Sequence, residues 1–395
     1  MYQPTFKITN TILKNVGLIE GAREVIVHAP LVPAWEAKFR EEAIIRTVHH
    51  GTHIEGNELN FTEAAKILQV KDVQTPSQAA QRAGVVGRDR DIQEVINYRN
   101  VLRFIDDYQI LQQHQKDDEE KKIGENAAGE VQESLGKLKG IPEAVVKHLH
   151  KLTVEHILAP NQCGTYRETQ VVVKNSITGE ITFRPPPAVE IPYLMEEFVH
   201  WINATSPDDM HPVLKAGICQ YELVRVHPFL DGNGRVARAL AVLVLFIDGY
   251  DIRKFFSLEE YYDRDASHYY EALQSVASPL AGGSKDDGAD LTPWLGYFTQ
   301  GLAIELNRVK EKVRGLSTDI HLKEKLGGEQ IFLSERQIKI VEYLQKAGFL
   351  QNRAFNQLFP MVSEDTILRD LKSLLDRGLV KKEGVTKAAR YVLVK

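Results

Sequence analysis

Residues 227–238 read HPFLDGNGRVAR and lie between two apolar runs, residues 221–226 and 239–246. Both runs have the composition of buried helices, so the stretch is predicted to be a loop that begins a new helix. The start of such a helix presents free backbone N–H groups and the positive end of its dipole, which together bind anions. Arg235 and Arg238 fall on one face of this helix and add positive charge. The stretch therefore predicts a phosphate-binding site.

Two further side chains give this stretch chemical capability. Asp231 supplies a hard oxygen ligand for a Mg²⁺ ion that would accompany phosphates. His227 supplies a nitrogen that titrates near neutral pH and can act as a general base. The alternative is a plain interhelical loop with a buried histidine, but that does not explain an aspartate, an asparagine, two glycines and two arginines at these offsets.

The composition is that of an ordinary soluble globular protein, with 395 residues, 43% hydrophobic and 26% charged. This length suits two or three domains. The net charge of −5 argues against wholesale coating of nucleic acid. The two cysteines, Cys163 and Cys219, suit a reducing compartment. No apolar run approaches the ~18 residues of a membrane span and no secretory signal is visible, so we expect a cytoplasmic protein without a membrane partner.

Helical periodicity dominates the chain, with one β-hairpin between Gln170 and Arg184. The first 32 residues are expected to be irregular with short strands, and residues 77–113 to form one long helix. The main domain should be all-α or nearly so. The predicted organisation is a helical region at 1–112, a charged linker or loop at 113–140, an all-α core at 141–315, a linker at 316–330 and a small α+β domain at 331–395.

The stretch HPFLDGNGRVAR matches every specified position of HPFx[D/E]GNGRxxR and thereby resembles the signature of the Fic family. The resemblance extends to Gly164-Thr-Tyr-Arg167, to the hairpin that the family calls a flap, to Tyr269-Tyr270 and to Asp290-Leu-Thr-Pro-Trp294. It covers most of residues 33–300. It implies an all-α Fic core that transfers AMP from ATP to a Ser, Thr or Tyr hydroxyl of a target protein, with Mg²⁺ and release of pyrophosphate.

The resemblance also implies roles for individual residues. His227 would be the general base, and Asp231 would hold Mg²⁺. Arg235 and Arg238 would contact the β- and γ-phosphates. The other residues expected at the ATP site are Gly232, Asn233 and Gly234 as the anion hole for the α-phosphate, Tyr269 and Tyr270 beside the adenine, and Val171, Val172 and Val173 on the flap, which would hold the target peptide and cover the nucleotide.

The segment Thr52-His-Ile-Glu-Gly-Asn57 resembles the inhibitory motif [S/T]xxxE[G/N] of the family, in the class with an N-terminal inhibitory helix. The resemblance implies that Glu55 enters the ATP site and pairs with Arg238, which then cannot grip the γ-phosphate. One position departs from the motif, because Gly51 stands where Ser or Thr is expected. A surface position for Glu55 is the alternative.

Residues 331–395 resemble a winged helix-turn-helix domain, because three helical segments precede two alternating strands. Twelve Lys/Arg against seven Asp/Glu give this segment a charge of +5, unlike the whole chain. The helix at 363–377 would present Arg369, Lys372 and Arg377 to DNA phosphates. The alternative is a module that docks a protein or forms a homodimer.

The sequence thus favours a protein adenylyltransferase restrained by Glu55, and two rivals remain open. The first removes AMP from a modified protein, with Glu55 orienting a water molecule. The second is a DNA-binding regulator whose Fic core senses nucleotide. A metal site at His49, His50 and His53 is not expected, because the sequence nearby offers no suitable acidic or cysteine partner. A Walker-type ATPase is excluded because GxxxxGK[S/T] is absent from the sequence.

Overall fold

The computed structural model describes residues 2–394 except positions 30, 32, 71–74, 121–139, 175–180, 277–288, 326–333, 352–353, 360–361 and 385–389. The chain divides into two compact units, Met1–Glu311 and Lys312–Lys395. Among the described residues, no helix combines the length and the apolar character needed to cross a membrane.

The first unit is mostly helical, as the sequence predicts. Its helices are α1 (Asn10–His28), α2 (Pro33–His53), α3 (Phe61–Gln69), α4 (Pro76–Ala83), α5 (Asp89–Glu120), α6 (Glu143–Val154), α7 (Ile191–Ala204), α8 (Pro212–Val226), α9 (Asn233–Ile247), α10 (Leu258–Arg264), α11 (Ala266–Gln274) and the part of α12 (Thr292–Lys325) up to Glu311.

Helix α1 corrects the expectation of irregular structure and short strands over the first 32 residues. The Thr9 side chain accepts the Ile12 N–H at 3.2 Å and begins the helix. Ile12, Ile19 and Ile26 are buried at helical spacing, so packing of one face stabilises the segment. The β-branched residues around Val25 favour a strand locally, but this tertiary packing overrides their preference.

The predicted long helix at 77–113 is two helices, α4 and α5. Gly84 ends α4 in the left-handed region with φ of 62°, and its N–H donates to Ala80 and Gln81 carbonyls. Helix α5 then continues to Glu120, into the segment predicted as a charged linker or loop. The remainder of that segment, 121–139, lies outside the described residues.

Helices α8 and α9 form the centre of the first unit and are joined by the loop that opens the signature stretch. Nearly every residue of both helices is buried, which identifies them as core helices. Helix α9 also contacts α5 and α6, while α2 packs against α5 and α10. The end of α2 and the start of α5 are thereby brought to the loop.

The β-hairpin is confirmed. Strand β1 (Val173–Lys174) pairs antiparallel with β2 (Ile181–Phe183), and Val173 lies opposite Phe183. The turn between the strands lies outside the described residues. The exposed Val172 directly precedes β1.

The second unit has the element order helix, short helix, helix and hairpin. Its elements are α13 (Glu335–Ala347), α14 (Phe355–Leu358), α15 (Glu364–Asp376), β3 (Val380–Glu383) and β4 (Arg390–Leu393). Ile340, Phe355, Ile367 and Leu371 form its buried core. This order is the one expected for a winged helix, and that assignment stays a prediction. Residues 316–325 of the expected linker are helical, because α12 ends at Lys325.

Candidate active site

The loop begins with an unusual backbone conformation at His227. This residue caps α8 with φ of 49° and ψ of 57°, and its N–H donates to Leu223 O at 2.9 Å. A left-handed conformation of a non-glycine residue is unfavourable by roughly 1–2 kcal/mol. The surrounding structure therefore fixes where this imidazole lies.

The tautomer of His227 suits a general base. Its Nδ1 lies 3.3 Å from Val224 O, so Nδ1 carries the proton and donates it to that carbonyl. Nε2 is then the unprotonated nitrogen that can accept a proton. Burial lowers the pKa of the imidazole below its ordinary value of 6.5, which keeps the ring neutral at physiological pH.

Asn233 and Gly232 shape the turn into α9. The Asn233 amide accepts the Phe229 N–H and donates to Phe229 O, both at 2.9 Å, so this side chain closes the loop on itself. Gly232 adopts φ of 78°, and a Cβ there would approach Val154 Cγ1 to 2.9 Å. The predicted contact between the Asn233 side chain and an α-phosphate stays a prediction and would have to use its second amide hydrogen.

Two residues outside the HPFLDGNGRVAR stretch hold the loop: His150, which the sequence did not single out, and Arg167 of the Gly164–Arg167 stretch. The Gly164 N–H donates to His150 Nδ1 at 2.9 Å, so His150 Nε2 carries the proton and donates to Asp231 O at 3.2 Å. The His150 ring stacks on Phe229 with centroids 3.8 Å apart, and burial lowers its pKa to about 4. Arg167 donates from Nε to His227 O at 2.9 Å.

Two buried arginines project from the first turns of α9. Arg235 and Arg238 are each 2% exposed. Arg238 Nη2 donates to Glu55 Oε1 and to Gly51 O, both at 2.8 Å. Within the described part of the chain, Arg238 Nε and Arg235 Nε are buried without a hydrogen-bond acceptor, while Arg235 Nη1 forms an ion pair with Glu94 Oε1 at 3.3 Å. Buried donors of this kind favour an anionic ligand, because unpaired they are costly.

The carboxylate of Glu55 lies at the start of α9. A Cβ added to Gly234 would collide with Glu55 Oε1, so the two residues are in direct contact. The Glu55 side chain is 28% exposed and pairs with the almost fully buried Arg238. A carboxylate at a helix N-terminus beside an arginine stands where a phosphate would bind. The structure thus brings Glu55 and Arg238 together, as the sequence predicted.

Gly51 has a physical reason to replace Ser or Thr in the inhibitory motif. A Cβ at Gly51 would lie 2.5 Å from Tyr98 Cε1 and 3.2 Å from Glu259 Cγ. Tyr98 donates its hydroxyl to the buried Glu259 at 2.9 Å, so this neighbour is itself fixed. Thr52 does not replace the Ser or Thr hydroxyl expected at position 51, because its own hydroxyl donates back to the carbonyls of Val48 and His49 within α2. The close packing of α2 on α5 and α10 requires glycine.

Asp231 is a single carboxylate at the mouth of the loop. Its Oδ2 accepts Arg90 Nη2 at 2.8 Å, and its Oδ1 accepts the Gly232 N–H at 2.6 Å. Nowhere in the described residues do three or more His, Cys, Asp or Glu side chains form a group able to hold a metal. A lone carboxylate fits Mg²⁺, which keeps several waters and is commonly shared with substrate phosphates.

The two predicted adenine residues occupy different environments. Tyr269 is 1% exposed, stacks on Tyr262 and accepts the Gln220 amide at 3.3 Å, so it belongs to the core. Tyr270 is 40% exposed and its hydroxyl lies 3.4 Å from Ile54 O, the carbonyl of the residue before Glu55. Only Tyr270 of this pair is open to a ligand.

The histidines near Glu55 do have an acidic partner, from far along the chain. His50 Nδ1 and His53 Nδ1 each lie 2.7 Å from an oxygen of Asp263 on α10. This partner lies more than 200 residues away in the sequence, and the expectation that these histidines do not hold a metal stays a prediction. These pairs fasten the end of α2, and therefore Glu55, to α10.

Comparison with known proteins agrees with this geometry. The Fic/DOC family model matches residues 140–245. Protein adenylyltransferase Fic of Drosophila grimshawi is 28% identical over 212 residues, which is 53% of this chain and 35% of that protein. Its counterpart in Culex quinquefasciatus is 26% identical over 238 residues, 60% of this chain and 39% of that protein. This chain thus spans little more than a third of either relative.

A similar fold is found in solved structures. A Fic family protein from Desulfovibrio desulfuricans superposes with a TM-score of 0.59 at 20% identity, covering 100% of this chain and 98% of that one. A Fic-domain signaling protein from Bacteroides thetaiotaomicron has a TM-score of 0.55 at 20% identity, covering 78% and 97%. Residues 140–245 thus match the Fic/DOC family model by sequence, and the chain has a fold similar to that of solved Fic proteins.

Proposed function

We propose that this protein is an adenylyltransferase that moves AMP from ATP to a hydroxyl of a target protein. The observation that carries the proposal is the convergence of His227, Asp231, Arg235 and Arg238 on the loop and first turns of α9, with the proton of His227 held on Nδ1 by Val224 O. The names of the similar proteins from Drosophila and Culex agree with this activity.

In the proposed reaction, His227 Nε2 takes the proton from a Ser, Thr or Tyr hydroxyl as its oxygen attacks the α-phosphorus of ATP. A bond forms between the hydroxyl oxygen and this phosphorus, and the bond from the phosphorus to the oxygen bridging to the β-phosphate breaks. Pyrophosphate leaves with that electron pair. The lowered pKa of His227 favours this role, because the ring is neutral and ready to accept a proton at pH 7.

The remaining residues bind and orient the nucleotide. The backbone N–H groups of Gly232, Asn233 and Gly234 at the start of α9 would receive the α-phosphate, where negative charge is stabilised by fixed dipoles. Arg235 would contact the β-phosphate and Arg238 the γ-phosphate, each through its planar guanidinium. Mg²⁺ held at Asp231 would neutralise charge on the phosphates when bound.

Residues at the edge of the site would contact the adenine and the target protein. Tyr270, rather than the buried Tyr269, would border the adenine. The residues Val171–Val173 lead into an edge strand of the hairpin, and an extended target segment could pair with that edge through its backbone.

We further propose that Glu55 restrains this activity. Its carboxylate contacts Gly234 and pairs with Arg238, so a γ-phosphate cannot take the same guanidinium while the pair is intact. Part of the Glu55 side chain is exposed, so it can leave without unfolding the core.

Removal of AMP from a modified protein is the second candidate. The Glu55 carboxylate lies at the anion-binding end of α9 and is open to solvent, which suits orientation of a water molecule. The helix, short helix, helix and hairpin order of the second unit supports a winged helix that would contribute a DNA- or protein-binding surface, through Arg369, Lys372 and Arg377, or a homodimer contact.

Incubation of the purified protein and cell lysate with α-labelled ATP and Mg²⁺ tests the proposal. Label should appear on protein with Glu55→Gly, more weakly with the restrained wild type, and disappear with Glu55→Gly/His227→Ala, while nucleotide binding persists. Incubation with a pre-modified target distinguishes AMP removal, which would release AMP from it. Equal labelling by Glu55→Gly and Glu55→Gly/His227→Ala would contradict the assignment of the base.

A further inference from the structure

The first turn of α5 carries an arginine that reaches the candidate metal ligand. Arg90 Nη2 donates to Asp231 Oδ2 at 2.8 Å. The other carboxylate oxygen accepts the Gly232 N–H at 2.6 Å and lies 3.7 Å from Arg235 Nη2. Donors thus engage both oxygens of Asp231. A divalent cation that binds there must share this carboxylate with Arg90 or displace it.

Arg90 keeps a second partner if it leaves Asp231. Its Nε donates to Glu94 Oε1 at 3.1 Å. Glu94 is 4% exposed, lies 3.3 Å from Arg235 Nη1 and accepts the Asn57 amide at 3.0 Å. Glu94 is therefore fixed from α9 and from the segment after α2. The Arg90 side chain is 58% exposed, so its freed guanidinium would be hydrated and still paired.

We propose that Arg90 is a positioning residue that competes with the divalent cation for Asp231 and so sets how strongly nucleotide binding depends on metal. The Arg90 guanidinium brings a charge of +1 to an oxygen of Asp231, whereas a divalent cation at the same oxygen would bring +2. This inference rests on the proposed function, because that function places the metal at Asp231. Partly exposed charge pairs are weak, so the competition should change metal affinity about two- to fivefold.

The test compares Arg90→Gln with Arg88→Gln, both in a Glu55→Gly background that frees Arg238. Arg88 carries the same charge two residues earlier but pairs with Asp91 at 2.8 Å. The probe is Mn²⁺ with the non-transferable analogue α,β-methylene-ATP. Calorimetry gives nucleotide affinity with and without Mn²⁺, and the electron paramagnetic resonance signal of free Mn²⁺ gives the metal affinity directly.

The expected result is that Arg90→Gln binds Mn²⁺ about two- to fivefold more tightly in the presence of the analogue. Arg88→Gln should match its parent, and adding Asp231→Asn to Arg90→Gln should remove the gain. Unchanged or weaker Mn²⁺ binding in Arg90→Gln would overturn the inference, and so would an equal gain in Arg88→Gln. AMP transfer is not part of this readout, so its absence would count against the proposed function alone.

Discussion

Replacing Glu55 by glycine should free Arg238 for the nucleotide. The pair is a charge-assisted hydrogen bond of 2.8 Å between an almost fully buried guanidinium and a carboxylate that is 28% exposed. Bonds of this kind contribute roughly 1.5–3 kcal/mol. If the pair must open before the γ-phosphate binds, the apparent ATP affinity is reduced by the fraction of molecules in which it is open. Glu55→Gly should therefore tighten ATP binding roughly 10- to 100-fold.

The same substitution should destabilise the nucleotide-free protein. Arg238 would keep its bond to Gly51 O but lose the neutralising carboxylate inside the core. We expect a loss of about 1–3 kcal/mol in the free energy of unfolding, which added nucleotide should offset more in the variant than in the wild type. The tighter ATP binding and the lower stability both result from loss of the Glu55–Arg238 pair, so they should appear together.

The assay is calorimetry with Mg²⁺ and α,β-methylene-ATP, combined with thermal unfolding with and without the analogue. Glu58→Gly is the matched control, because this nearby carboxylate is 75% exposed and lies 3.5 Å from Arg88. It should leave nucleotide affinity within about twofold of the wild type. If Glu55→Gly binds the analogue no more tightly than Glu58→Gly does, the proposed competition for Arg238 is refuted.

Two further predictions concern the interface that holds α2. Gly51→Ala should lower the free energy of unfolding by about 1–3 kcal/mol, measured by thermal denaturation, because its Cβ would lie 2.5 Å from the Tyr98 ring; unchanged stability would contradict this packing. Burial and the nearby Glu260 raise the pKa of Glu305 to about 7, despite its contacts with arginines. Above about pH 4.5 the unfolded state releases the Glu305 proton, whereas the folded state keeps it up to about pH 7. The free energy of unfolding of the wild type should therefore fall by up to about 3 kcal/mol between pH 4.5 and 7, relative to that of Glu305→Gln. Parallel pH profiles of melting temperature for the two proteins would contradict this.

Much of the fold followed from local sequence signals. The apolar runs of α8 and α9, the proline that begins α2 and the alternation of the hairpin each act within a few residues. Helix α1 was missed because Val25, Ile26 and Val27 favour strands locally, and only their burial against the rest of the unit shows a helix. The break at Gly84 was missed because helical periodicity resumes directly after it.

The candidate site was predictable where its residues lie within one stretch. His227, Asp231, Arg235 and Arg238 are together because the loop and one helix place them there. Their supporting partners come from elsewhere in the chain and carry no local signature: Arg90, Glu94, His150, Glu259 and Asp263. Pairing between charges so distant in sequence depends on how α2, α5, α6 and α10 pack. The glycine at position 51, where the motif has Ser or Thr, is likewise explained only by the packing of Tyr98 against it.

The role of His227 as the base for AMP transfer is the central claim about this site. The decisive measurement is mass spectrometry of protein incubated with ATP and Mg²⁺ in lysate. It compares Glu55→Gly with Glu55→Gly/His227→Ala after calorimetry has shown that the two variants bind nucleotide with equal affinity. We predict AMP adducts on Ser, Thr or Tyr residues with the single variant and none above background with the double variant. Equal adducts with both variants, or none with a Glu55→Gly protein that binds ATP, would contradict the account.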